Sequence, residues 1–140
     1  NNRYEVGSPD IAAVAALGKA LELTVKCAGK DLLHERKLLE ILRRGLSDVE
    51  GVSVLGAQPL EKSTGILSFV CDRYQADELG MILDEDFELA VRTGYHCAPL
   101  VHDIIGSIQY GGTVRVSLGR FTTESDVEAL VEAVKELMEE

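Results

Sequence analysis

"TVRVSLGRFTTESDVEALVEAVKEL" runs from Thr113 to Leu137 and carries two periods in one stretch. Thr113 to Leu118 alternate as a β-strand does. Thr123 and Asp126 then form a capping-box-like helix start, with Asp standing in for the usual Glu or Gln. Val127, Leu130, Val131, Val134 and Leu137 recur at helical spacing and give the clearest amphipathic helix in the chain. A strand followed at once by a helix with one apolar face points to a sheet covered by helices.

The rest of the chain supplies the partners. Gly65 to Val70 reads as a strand of apolar character, and Val52 to Leu55 and Leu89 to Arg92 read as shorter ones. Gln58 to Thr64 is polar and reads as a loop. Asp77 to Asp84 sets Leu79, Ile82 and Leu83 on one helical face. Ser8-Pro9-Asp10 reads as a helix start, followed by Ile11, Val14, Leu17, Leu21 and Val25 at helical spacing, with Gly29 closing the run. Asp31 then caps a second helix whose stripe is Leu32, Leu38, Leu39, Leu42 and Leu46, and Gly51 marks the turn out of it. Between Thr93 and Gly112 the pattern breaks down around Gly94, Pro99, Gly106, Gly111 and Gly112, which reads as a long loop of the functional kind. The expected class is α+β, an α/β two-layer sandwich with a small, mostly antiparallel sheet of about four strands packed with helices. Residues 9–28 are expected to form a connecting helix outside that sandwich.

The chain has 140 residues, 46% hydrophobic and 27% charged, the mix of a globular domain large enough to bury a core. Fourteen Lys+Arg against twenty-four Asp+Glu leave a net charge of −10, which argues against nucleic-acid and anionic-membrane surfaces. No apolar run is long enough to cross a bilayer, and no signal-peptide pattern opens the chain. Three cysteines, Cys27, Cys71 and Cys97, lie far apart without a C-x-x-C pattern, so a reducing, cytoplasmic setting is expected rather than a disulfide framework.

Chemistry concentrates in "AVRTGYHCAP", Ala90 to Pro99. A strand delivers Arg92 to its end, Thr93-Gly94 breaks it, and Cys97 follows on an irregular segment beside His96. Two readings fit Cys97: a small buried apolar residue, or a nucleophilic thiol in an electropositive, accessible setting. Arg115, inside an otherwise uncharged strand pattern, either faces solvent or offers its fork to a carboxylate or phosphate. The two arginines at the ends of neighbouring strands would then flank the cysteine loop and suit a small anionic substrate. His96, His102 and Cys97 lack a fourth ligand and match no tight zinc spacing, so no metal site is expected. His34 reads as a surface or rim residue, and Cys27 and Cys71 as packing residues. The glycines of Gly106 to Gly112 form no phosphate-cradling motif.

Taken together these motifs resemble the C-terminal portion of the cysteine desulfurases of the class V aminotransferase superfamily, pyridoxal-phosphate (PLP) enzymes related to selenocysteine lyases. "RYEVGSP", Arg3 to Pro9, is similar to the R-[FY]-E-x-G-[TS] segment before the family's long helix, and "GILSF", Gly65 to Phe69, to its G-[IV]-[VIL]-S-F strand. "ILDEDFELAVRTGYHCAP" and "TVRVSLGRFTTESDVEAL" resemble its R-[TS]-G-x-H-C stretch and its closing T-V-R-x-S stretch, the most specific pair. Tyr95 stands where many members have His, and Thr122 replaces a common Asn, which leaves cysteine, selenocysteine or another class V substrate open.

The resemblance implies the small domain of a fold-type I PLP enzyme. It assigns Cys97 as the persulfide-forming nucleophile, Arg115 as the grip on the substrate α-carboxylate and Arg92 as a second substrate-side arginine; His96, next to the thiol in sequence, is a candidate supporting residue. It implies an enzyme that moves sulfur from L-cysteine to the thiol, releases L-alanine, and hands the persulfide to an acceptor or scaffold protein for iron–sulfur cluster or other sulfur biosynthesis. A homodimer is implied for the parent enzyme. The family's S-x-H-K lysine motif is not found among the contexts of Lys19, Lys26, Lys30, Lys37, Lys62 and Lys135. Residues 1–140 are therefore expected to be a single C-terminal small domain without the large PLP-lysine domain, holding no PLP and turning over no cysteine in isolation. A selenocysteine lyase or other class V enzyme, and a non-enzymatic persulfide carrier or interaction domain, are the alternatives.

Overall fold

A computed structural model describes residues 7–56 and 59–139. Residues 3–6 of the "RYEVGSP" stretch and Gln58 of the expected polar loop lie outside the described residues. The chain runs α1 (Ile11–Ser47), β1 (Val52–Leu55), β2 (Ile66–Cys71), α2 (Ala76–Glu85), β3 (Arg92–Gly94), α3 (Pro99–Ile104), β4 (Thr113–Ser117) and α4 (Glu124–Glu139). Single 3₁₀ turns stand at Leu60–Lys62 and Ile108–Tyr110. All strand pairs are antiparallel, in the order β1-β2-β4-β3. The architecture is the expected α+β two-layer sandwich.

Where two helices were expected at the N-terminus there is one. Gly29 does not end α1, because a glycine in a helix interior costs only about 1 kcal/mol and its neighbours are good helix formers. Asp31 caps nothing; its carboxylate pairs with Arg120 at 2.6 Å. The cap is Asp10 rather than Ser8, and its carboxylate accepts the Ala13 N–H at 2.9 Å. At the other end of the molecule the Thr123–Asp126 capping box forms as read: Asp126 N–H donates to Thr123 Oγ1 at 3.2 Å, and Thr123 N–H to Asp126 Oδ2 at 2.8 Å.

The register divides the sheet into two unlike faces. Residues directly opposite on antiparallel neighbours share a face. Leu67 faces Val116 and Phe69 faces Val114 across β2 and β4. These four are buried with Leu38, Leu42, Leu46, Leu79, Leu83, Val127, Leu130 and Val134, so α1, α2 and α4 cover this face. On the other face one row crosses the whole sheet: Leu55, Ser68, Arg115 and Arg92, each opposite the next.

α1 is itself divided. Leu38, Leu39, Leu42 and Leu46 in its second half are buried. Ile11, Val14, Leu17, Leu21 and Val25 in its first half are exposed. His34, half-buried, donates from Nε2 to the Thr122 carbonyl at 2.8 Å and ties α1 to the β4–α4 connection.

The strand expected at Leu89 to Arg92 lies further on, at Arg92–Gly94. The alternation of Leu89 and Val91 comes instead from packing: both are partly buried against the helical core, and Leu89 N–H closes the end of α2 on the Leu83 carbonyl at 2.8 Å. Arg92 therefore opens β3 rather than ending a strand. The expected long loop, Thr93 to Gly112, is also more ordered than its glycines suggest, since it contains the end of β3, α3 and a 3₁₀ turn.

Candidate active site around Cys97

Gly94 ends β3 with a φ of +90°, and Gly112 leads into β4 with a φ of +109°. A Cβ on Gly112 would sit 2.4 Å from the Gly94 carbonyl group, so the two backbones touch where the strands meet. From this junction the chain swings out through Tyr95, His96, Cys97 and Ala98. Ala98 N–H donates back to the Tyr95 carbonyl at 2.8 Å, and the two residues between have φ values of +50° and +61°. That is the pattern of a type I′ turn, which usually takes Asn-Gly at its centre. Here it carries His96-Cys97, at a strain cost of about 1–3 kcal/mol for each non-glycine residue so held.

The turn puts Cys97 outside. Its side chain is exposed, which removes the packing alternative, and Arg92 Nη2 lies 3.9 Å from Sγ. Arg92 and Arg115 stand directly opposite each other on β3 and β4, on the sheet face turned away from α1, α2 and α4. Like charges placed so repel, and the pair is stabilised by any anion set between the forks. Arg115 is not on a fully solvated face: it is half-buried, and its Nε has no hydrogen-bond partner among the described residues. His96 Nδ1 is likewise buried and unpartnered, while its Nε2 lies 2.9 Å from Thr113 Oγ1 in a hydrogen bond. Burial first, then the Arg115 guanidinium, push the His96 pKa below its ordinary value, outweighing the bond with Thr113 that raises it. Ser68, opposite Arg115 on β2, adds a half-buried hydroxyl to the same row that the sequence did not single out.

The other cysteines are elsewhere. Cys71 is buried at the end of β2, and burial, helped by Asp72, raises its thiol pKa to about 12. Cys27 sits mid-way along α1 rather than at a helix end. His102, weighed above as a metal ligand, is 3% exposed and hydrogen-bonded through both ring nitrogens. Among the described residues no group of three or more His, Cys, Asp or Glu is placed to hold a metal ion.

The exposed thiol thus stands beside Arg92, Arg92 faces Arg115 across the strands, and Arg115 Nε and His96 Nδ1 are left unpartnered among the described residues. The family model described as Aminotransferase class-V matches residues 1–130. The chain belongs to the class V aminotransferase family. It is 35% identical over 137 residues to the "Probable cysteine desulfurase" of Pseudomonas putida, covering 97% of this chain and 32% of that one. It is 33% identical over 133 residues to "Probable cysteine desulfurase 2" of Mycobacterium leprae, covering 94% and 31%. Among solved structures, the apo cysteine desulfurase of Thermococcus onnurineus NA1 superposes with a TM-score of 0.87 at 30% identity, over 98% of this chain and 33% of that one. The chain thus spans about a third of the length of the relatives it matches. As a class V aminotransferase relative it raises the question of PLP. The orphaned Arg115 Nε and the opposed Arg92 fit the amino-acid side of such a site. None of the six lysines lies on β3, the Cys97 turn, α3 or β4: four are on α1, one in the first 3₁₀ turn and one on α4. No helix among the described residues is long and apolar enough to cross a membrane.

Proposed function

We propose that this chain is the sulfur-accepting lobe of a PLP-dependent cysteine desulfurase. The observation that carries the reading is the exposed Cys97 thiol, 3.9 Å from Arg92 on the sheet face that also bears Arg115. Arg115 and Arg92 grip the α-carboxylate of L-cysteine, and the grip turns the substrate's sulfur toward Cys97. The Cys97 thiolate attacks that sulfur. An S–S bond forms, the substrate's Cβ–S bond breaks, and its electron pair stays on carbon. PLP, when bound, supplies the sink for that pair. A proton delivered to carbon completes alanine, and the persulfide on Cys97 is left outside, where an acceptor protein takes the outer sulfur.

His96, biased toward its neutral form, leaves Arg92 and Arg115 as the cations that meet the carboxylate. The lysine that holds PLP belongs, on this reading, to polypeptide beyond these 140 residues, and the parent enzyme is a homodimer. Turnover in the full-length protein tests the reading. With L-cysteine and PLP, alanine release is expected, with Cys97→Ser abolishing it and Arg115→Gln lowering kcat/KM by about tenfold to a hundredfold, the range for a lost hydrogen-bonded charge. Undiminished alanine release from Cys97→Ser would overturn it.

A further inference from the structure

Two successive non-glycine residues with positive φ, His96 and Cys97, persist only where their surroundings over-determine them. A single turn hydrogen bond is a weak clamp for that purpose. The Tyr95 carbonyl, however, takes two donors. Ala98 N–H reaches it at 2.8 Å, and the His102 ring reaches it through Nε2 at 3.0 Å. A carbonyl oxygen only accepts, so Nε2 carries the proton, and in the neutral ring Nδ1 accepts from the Ser107 hydroxyl 2.7 Å away. Ser107 is 1% exposed and held on every side. Its N–H donates to the His102 carbonyl at 2.9 Å, and its own carbonyl takes Gly112 N–H at 3.0 Å and Tyr110 N–H at 3.1 Å. A continuous series of hydrogen bonds therefore runs from the foot of β4 through Ser107 and His102 to the turn. The Tyr95 ring packs edge-on to the imidazole, with centroids 5.2 Å apart.

We propose that His102 is the positioning residue for Cys97: its Nε2–H holds the Tyr95 carbonyl, and with it the strained turn that presents the thiol. What the turn serves rests on the sulfur-accepting reading; how it is held does not. His102 touches no reacting atom and acts through the backbone.

Amide hydrogen exchange of Ala98, followed by NMR in the full chain, reads the turn directly. His102→Asn can place its amide oxygen near the Nδ1 position, where it accepts from the Ser107 hydroxyl, and it loses Tyr95. His102→Gln extends its amide nitrogen to the Nε2 position and keeps Tyr95. Asn is expected to speed Ala98 exchange about fivefold, the effect of one lost hydrogen bond, while Gln leaves it close to the unsubstituted rate. Phe69 and Val114 amides in the core report whether each variant is folded. Should Asn fail to fold, the side-chain proton–nitrogen spectrum of the unsubstituted protein in mildly alkaline buffer decides, with the Nε2–H tautomer expected. Equal exchange at Ala98 in the Asn variant and the unsubstituted protein, equal acceleration by Asn and Gln, or an Nδ1–H tautomer would each overturn the proposal. None of these readouts needs turnover, so failure of sulfur transfer shows separately, as an unmodified Cys97 with the exchange pattern intact.

Discussion

Cys97 and His96 occupy the two central positions of a turn that ordinarily takes Asn-Gly, and their side chains go opposite ways: the thiol to solvent, the imidazole partly inward to Thr113. The direction of the His96 shift gives a prediction with a definite sign. Burial and the nearby Arg115 depress its pKa, so between the folded value and the ordinary 6.5 the unfolded chain binds more protons than the folded one. The stability contributed by the neutral ring is full above about 6.5 and is lost as pH falls below it through the depressed folded value. An NMR titration of the His96 ring is expected to show a midpoint below 6.5 that rises in Arg115→Gln, where one cause of the depression is removed. A midpoint unmoved by that substitution would mean that Arg115 does not act on the ring. That Arg115 and Arg92 come from neighbouring strands near the cysteine loop was legible in the sequence, because an arginine in an apolar strand pattern invites a reason; that they stand directly opposite each other was not. His102 was not. Its neighbours are glycine-rich, and nothing in Leu100-Val101-His102 distinguishes a buried strut from a loop residue until α3 is seen to turn it under Tyr95.

At the scale of elements, the parts with a strong period were readable and the parts set by tertiary contact were not. β2, β4, α2 and α4 follow their patterns because one face of each is buried in the core. β3 was misplaced by three residues at its start because Leu89 and Val91 imitate a strand while packing under the helices. α3 is six residues long, too short to show a period, although Pro99 at its first position is a start signal. α1 was split at Gly29 because a glycine reads as a stop, and only the neighbouring helix formers and the fold carry the helix through it. The two halves of α1 should answer differently to substitution. Leu42→Ala, which empties a fully buried position, is expected to cost about 2–5 kcal/mol in denaturant unfolding. Leu21→Ser, on the exposed half, is expected to change stability by no more than about 0.5 kcal/mol. Comparable losses from both would contradict the division drawn here. Gly112→Ala tests the junction of β3 and β4. The new methyl would meet the Gly94 backbone at 2.4 Å, on a φ of +109° that alanine rarely adopts, so a lowered Tm is expected together with altered amide shifts from Tyr95 to Ala98. Wild-type stability in this variant would show that the close approach is not needed.

At the scale of the whole molecule, a chain with a net charge of −10 places two opposed arginines on the sheet face turned away from α1, α2 and α4. That focuses a local positive field at the place the proposed reading gives to the substrate carboxylate, in a chain whose net charge repels anions. α1, α2 and α4 take the opposite face, so the core can hold the sheet rigid while the 95–112 excursion, with α3 in it, carries the thiol. Family membership puts the chain among the class V aminotransferases, and the chain spans about a third of the length of the relatives it matches. The most direct measurement is peptide-mapping mass spectrometry of the full-length protein after incubation with L-cysteine and PLP. One added sulfur atom on the peptide bearing Cys97, removable by a thiol reductant, is the result expected. Added sulfur on Cys27 or Cys71 with Cys97 unmodified would contradict the account.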